Sequence, residues 1–219
     1  MKTHRKTSMG KAGTKKSFIY EQLKRKIISS ELTAGTVLNE ADLALEFNIG
    51  KTPTREALIM LVHEGFVEAL PRVGYVVTRL TLEDMLEIFS LRTMVEVEAI
   101  GIASERISEA NIDKLIDNNK QESALAKQKV DASLRAQAYQ LNREFHLIIA
   151  QATGNNRLAR LVQSLIDDLG RALSIDPYIA DSSQHDEIIL HLKNRDRAGA
   201  QAAMRRHIED TRARIVNRF

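Results

Sequence analysis

The sequence has no cysteine, which excludes disulfides and thiolate metal sites and fits a reducing compartment. No apolar run approaches the roughly 18 residues of a membrane span, and the basic N-terminus is not followed by an apolar segment of the secretion-signal kind. Both absences point to a cytoplasmic protein. No internal repeat and no low-complexity run is present. Hydrophobic content of 43% and charged content of 28% are ordinary for a soluble chain and argue against wholesale disorder. At 219 residues the chain can bury a real core and divides best into two small domains.

The formal net charge of +3 is unevenly spread. Up to Arg79 there are 13 Lys plus Arg against 8 Asp plus Glu, a net of +5; the remainder has 19 against 21, a net of −2. Basic charge confined to the first third is expected if only that part meets phosphates. Residues 1–16 contain Lys2, Arg5, Lys6, Lys11, Lys15 and Lys16 with no acid and read as a flexible, solvated tail that could add phosphate contacts.

From Ser17 the period becomes helical, with Phe18, Ile19, Leu23, Ile27 and Ile28 on one face. Leu38-Asn-Glu-Ala-Asp-Leu-Ala-Leu-Glu-Phe47 reads as a second short helix with Leu43, Ala44 and Phe47 inward, and Asn48-Ile-Gly50 as a tight turn. Lys51 to Gly65 then reads as a third helix: Thr52 can cap it, Pro53 suits its first position and Gly65 can end it. Its apolar stripe is Ala57, Leu58, Leu61 and Val62. Its tip carries Lys51, Thr52, Thr54 and Arg55, cations and hydroxyls where the backbone N–H groups already favour an anion. After Gly65 the period changes to that of strands, Phe66–Leu70 and Tyr75–Thr78, around Pro71-Arg-Val-Gly74 with Arg72 at the hairpin tip. Three helices and such a hairpin make a winged helix-turn-helix over residues 17–79, whose tip residues and Arg72 are the candidate DNA contacts.

Everything from Leu80 is helical in period. Thr81-Leu-Glu-Asp84 is a capping box, Ser108, Asp131, Asn155, the Ser183–Asp186 segment and Asp196 open further helices, and Pro177 marks a loop. The fold class is therefore mostly α: a winged helix-turn-helix followed by an all-α antiparallel bundle over residues 80–219. Two groups in the bundle stand out. Asn142 and His146, four apart, share a helix face, and His185 and His207 lie nearly equidistant from the turn at Asn194–Asp196, so an antiparallel hairpin brings their rings to one level. Three converging imidazoles would suit zinc, nickel or another borderline divalent ion, with Asn142 as a weak oxygen ligand; by spacing alone, satisfied structural histidines are the favoured reading. Arg92, one turn before Glu96, is either half of a solvated helical ion pair or a buried fork for a carboxylate.

The segments Leu38–Ala44, Ile49-Gly-Lys-Thr-Pro-Thr-Arg-Glu-Ala-Leu58, Glu64–Val67 and Gly74-Tyr-Val-Val77 resemble the winged helix of GntR-type bacterial transcription regulators. The bundle resembles the ligand-sensing domain of their fatty-acid-regulator branch, the FCD domain. The family's metal pattern, an acidic or amide residue one turn before a His followed by two more His, is met by Asn142, His146, His185 and His207. The resemblance implies a homodimeric regulator binding double-stranded operator DNA, whose bundle holds a divalent metal and a small organic acid, with Arg92 as the effector's partner. Three departures qualify it. Lys51 stands where a base-reading Arg is usual and Ala41 where an Arg is common, and Asn142 replaces the usual Asp, lowering the site's negative charge. Two other classes fit less well: a metal-dependent hydrolytic or oxidative enzyme using the three histidines, for which no carboxylate in the motif is an evident general base, and an architectural DNA binder without an effector.

Overall fold

The computed structural model describes residues 8–125, 127–128, 131–173 and 182–217, with side chains from residue 15 onward apart from 132 and 173. His4 and Pro177 lie outside the described residues. The chain divides into two units, one ending at Arg79 and one starting at Leu80.

In the first unit α1 (Ser8–Ile28), β1 (Val37–Leu38), α2 (Glu40–Glu46) and α3 (Lys51–His63) precede a hairpin of β2 (Val67–Leu70) and β3 (Gly74–Val77). Ile19, Leu23 and Ile27 of α1 are buried, as are Ala57, Leu58 and Leu61 of α3, and these two helices pack on each other. Three expectations need correction. The helix α1 begins at Ser8, so the second part of the basic stretch is helical rather than tail; the good helix formers among Lys11 to Lys16 extend a helix already anchored by its apolar turns. Leu38 does not begin α2: Val37 and Leu38 form a short strand against β3, giving antiparallel order β1-β3-β2, and Asn39 caps α2 through its side-chain oxygen on the N–H groups of Ala41 and Asp42. In α3 the cap is Gly50, with no side-chain bond, rather than Thr52; Pro53 therefore falls two residues into the first turn, still among the N–H groups that have no intrahelical partner. Ala44 and Phe47 lie on the inward face as expected, half-buried, and Val62 at the edge of its stripe is half-buried too.

Gly65 takes φ +73 just beyond α3, the left-handed geometry that ends the helix. Gly74 opens β3 at φ +116, and a Cβ there would sit 3.0 Å from the Leu38 carbonyl oxygen, so only glycine lets β1 close on the hairpin.

The second unit contains, among the described residues, α4 (Leu82–Arg106), α5 (Glu109–Leu125), α6 (Ala132–Ala152), α7 (Asn156–Leu173), α8 (Ser182–Lys193) and α9 (Arg197–Val216). The capping box is present: Thr81 accepts from the Asp84 N–H and Asp84 accepts from the Thr81 N–H. Asp131 and Asp196 cap α6 and α9. Helix α4 is the central element, packed against α6, α7, α8 and α9, and α5 packs on α6 and α8. Met85, Phe89 and Ile100 of α4 meet Phe145, Leu169, Ile188 and Met204 in one apolar core. That core fixes which helix faces point at one another, and with them the buried polar side chains.

Candidate functional site

Helices α6, α8 and α9 each deliver one histidine to a common point in the bundle. His146, His185 and His207 are all buried, and one ring nitrogen from each lies within 4.8 Å of the others. Phe145 stacks on His185 at 3.8 Å and 6°, restricting that ring's rotation. The hairpin symmetry about Asn194–Asp196 does place His185 and His207 side by side, with ring centroids 4.9 Å apart and the planes tilted at 49°. His191 turns away, its Nδ1 2.8 Å from the Asp196 carboxylate.

The outward nitrogens decide what the inward ones can do. His146 Nδ1 lies 2.5 Å from Glu96 Oε2 and His185 Nδ1 lies 2.7 Å from Glu122 Oε2, close contacts with a carboxylate that do not have hydrogen-bond geometry. His207 Nδ1 is 3.0 Å from Gln184 Oε1, and Gln184 Nε2 donates to Asp210 at 2.7 Å, which orients the amide with its oxygen toward the ring. An acceptor beside each Nδ1 favours the proton there and leaves each Nε2 a lone pair. The Nε2 atoms of His146 and His207 nevertheless lie 3.3 Å apart, and the His185 Nε2 is buried with no hydrogen-bond partner. Two facing lone pairs do not make a hydrogen bond. Metal–nitrogen bonds of about 2.0–2.1 Å at a tetrahedral angle would put two ligand nitrogens about 3.3–3.4 Å apart, which this separation matches.

Electrostatics reinforce the neutral form at His146 and His207. Burial pushes the pKa of His146 down, only partly offset by the Glu96 carboxylate, and burial with the neighbouring rings pushes His207 well below its ordinary value. Burial opposes ionisation of Glu96, yet the Arg92 guanidinium and then His146 outweigh it and hold the carboxyl down at about 2. Neutral rings are the ligand form of histidine.

Asn142 is buried one turn before His146 on α6. Arg92 combines features of both readings: it forms the i, i+4 pair with Glu96, Nε donating to Oε1 at 2.5 Å, but that pair is buried rather than solvated, Arg92 being 1% exposed with its Nη2 without a hydrogen-bond partner. A guanidinium with a donor left over in a dry interior is suited to a carboxylate.

In the first unit Lys51, Thr52 and Arg55 are exposed on α3, and Arg72, at φ +65, is exposed at the hairpin tip. Thr54 is a correction: it is 0% exposed, and its hydroxyl donates to the Gly50 carbonyl at 3.1 Å, so it braces the helix tip from inside and presents nothing to a groove. The helical phase explains it, because Thr54 shares its face with buried Leu58 and Leu61. Arg55 is held by Glu40 of α2 through two bonds, Nε to Oε2 at 2.8 Å and Nη2 to Oε1 at 3.0 Å.

Residues 87–210 match the FCD domain family and residues 15–77 match the gntR family of bacterial regulatory proteins. The chain belongs to the GntR family. A Bacillus subtilis protein named as the uncharacterized HTH-type transcriptional regulator YdhC is 27% identical over 86% of this chain and 85% of its own length. The HTH-type transcriptional repressor RspR of Escherichia coli is 25% identical over 88% and 85% respectively. In fold, the chain is similar to E. coli McbR/YncC, with a TM-score of 0.81 at 21% identity over 93% of this chain and 98% of that one. This GntR regulator thus has the expected mostly α architecture, a winged helix-turn-helix followed by a helical FCD domain, and its family and relatives are transcription regulators. No helix among the described residues is long and apolar enough to cross a membrane.

The residues that the sequence did not single out are Glu40, Glu122 and Gln184, and the attachment of Glu96 to His146. Each acts across a helix interface, so no spacing within one helix announces it. The only signal available was negative: Glu122 lies on a helix face with Leu115 and Leu125, an acid where the apolar stripe should continue.

Proposed function

We propose that this regulator is metabolite-responsive through its bundle. His146, His185 and His207, with Asn142 as a fourth oxygen ligand, hold a divalent ion such as zinc or nickel, and Arg92 takes the carboxylate of a small organic acid beside it. The observation that carries this reading is the convergence of one ring nitrogen from each of three buried histidines, with the Nε2 atoms of His146 and His207 facing each other at 3.3 Å. When bound, the ion supplies a positive centre for an anionic ligand. The protein's own part is to fix the rings, exclude water and offer the unpaired Arg92 donor.

In this reading the chain acts as a homodimer that presents two α3 helices to operator DNA about one helical turn, or a multiple, apart. Lys51, Thr52, Arg55 and Arg72 are the DNA contacts, and ligand binding in the bundle alters the spacing. A hydrolytic or oxidative role is less well supported: among the described residues Glu96 and Glu122 each lie against a histidine Nδ1, at 2.5 and 2.7 Å, and Glu96 is also paired with Arg92, which suits them to holding the rings rather than to moving a substrate proton.

Elemental analysis of purified protein tests the centre. His146→Ala, His185→Ala and His207→Ala should each lower metal content. Full occupancy in any two of them would overturn the site.

A further inference from the structure

Glu40 and Arg55 form a pair whose geometry restricts what Arg55 can offer. The two bonds to Glu40 use Nε and Nη2, the side edge of the planar guanidinium. What remains is the end edge, made by the outer N–H groups of both terminal nitrogens, directed away from Glu40. That edge carries two parallel donors, and the major-groove edge of guanine carries two acceptors, O6 and N7, at matching separation.

The pair is also anchored on one side and open on the other. Glu40 is the first residue of α2, beside the Asn39 cap, and its side chain is 19% exposed; that of Arg55 is 63% exposed. Lys51 and Thr52 lie one turn earlier on the same exposed strip of α3, and Ile59, 42% exposed, lies one turn later. An unsupported arginine meets phosphates from whichever rotamer is convenient. One braced by a carboxylate has given up that freedom before DNA arrives, and its charge is offset while its directional donors are kept.

We propose that Glu40 is a specificity-determining positioning residue, holding the side edge of Arg55 so that the end edge reads one guanine in each half-site. This rests on the reading that α3 enters the major groove. Glu40 need not touch the DNA.

The test uses the full-length chain. Duplexes are selected from a random pool with wild type, Glu40→Ala, Glu40→Gln and Arg55→Ala; the best wild-type duplex, its single-base variants and an unselected duplex are then titrated at several salt concentrations. The expected result is a wild-type motif whose preference for guanine at one position per half-site falls about tenfold or more in both Glu40 variants and in Arg55→Ala, the other positions keeping theirs. Affinity of the Glu40 variants for the unselected duplex should hold or rise, with a salt slope steeper by about one as Arg55 turns to phosphate. A uniform loss across all duplexes with the motif unchanged would make Arg55 a phosphate contact and overturn the proposal. So would a guanine preference lost in Arg55→Ala but kept in Glu40→Ala. If wild type enriches no motif, the groove-reading role of α3 itself falls, and this inference with it.

Discussion

Arg92, Glu96 and His146 form a chain in which one carboxylate serves two donors, Glu96 Oε1 facing Arg92 and Oε2 facing His146. Removing one charge from such a buried pair costs more than removing both, because the survivor is left dry and unpaired. Arg92→Met should therefore destabilise the metal-free protein by about 3–5 kcal/mol, and Arg92→Met with Glu96→Leu by clearly less, as measured by denaturant unfolding. Equal losses would mean the two groups are not energetically coupled. Glu122 invites a different substitution. Glu122→Gln keeps an acceptor for the His185 N–H but removes the negative charge behind the ring, so zinc affinity, read by competition with a chelating dye, should fall about 10–100-fold. An unchanged affinity would reduce Glu122 to a space-filling role.

At the scale of elements, the caps were legible because their chemistry is local. Thr81 with Asp84, Asp131 and Asp196 each precede a helical period and each cap as the spacing predicts. Thr81→Ala should cost about 0.5–2 kcal/mol of stability in the same unfolding measurement, since it removes one half of a reciprocal cap on the central helix. The Gly74 turn is legible as a hairpin, but its second reason, the Leu38 carbonyl against it, depends on a strand of only two residues that no period of alternation can reveal. Gly74→Ala should lower the melting temperature through both the positive φ and the 3.0 Å approach. The three histidines were legible because two flank one turn and the third has a partner at helical spacing. Their orienting residues were not, since Glu96, Glu122 and Gln184 reach the rings from other helices or from around a helix, and the relative rotation of packed helices is set by the whole core. Thr54 shows the same limit: its residue type suits a DNA contact, and only its helical phase, fixed by Leu58 and Leu61, turns it inward.

The molecule as a whole combines a basic unit of net +5 with a remainder of net −2, so DNA affinity should fall steeply with salt through contacts of the first unit alone. Its response to acid belongs to the bundle. His146 and His207 have pKa values depressed in the folded state, so as pH falls the unfolded chain takes up protons first, from about 6.5 downward. The stability of the metal-free protein should then be fully present above that pH and decline below it, with a second loss between about 4.5 and 2 as Glu96 protonates. Denaturant midpoints at pH 7.5, 6.5 and 5.5 would decide this; a midpoint that rises on acidification would contradict it. One asymmetry of the centre bears on how an ion would leave it. Two rings are backed by anions, but His207 is backed by the neutral amide of Gln184, which donates less electron density through Nδ1. Were a divalent ion held there, the α9 arm would be its weakest ligand of the three, so α9 is the helix whose displacement would open the centre most readily.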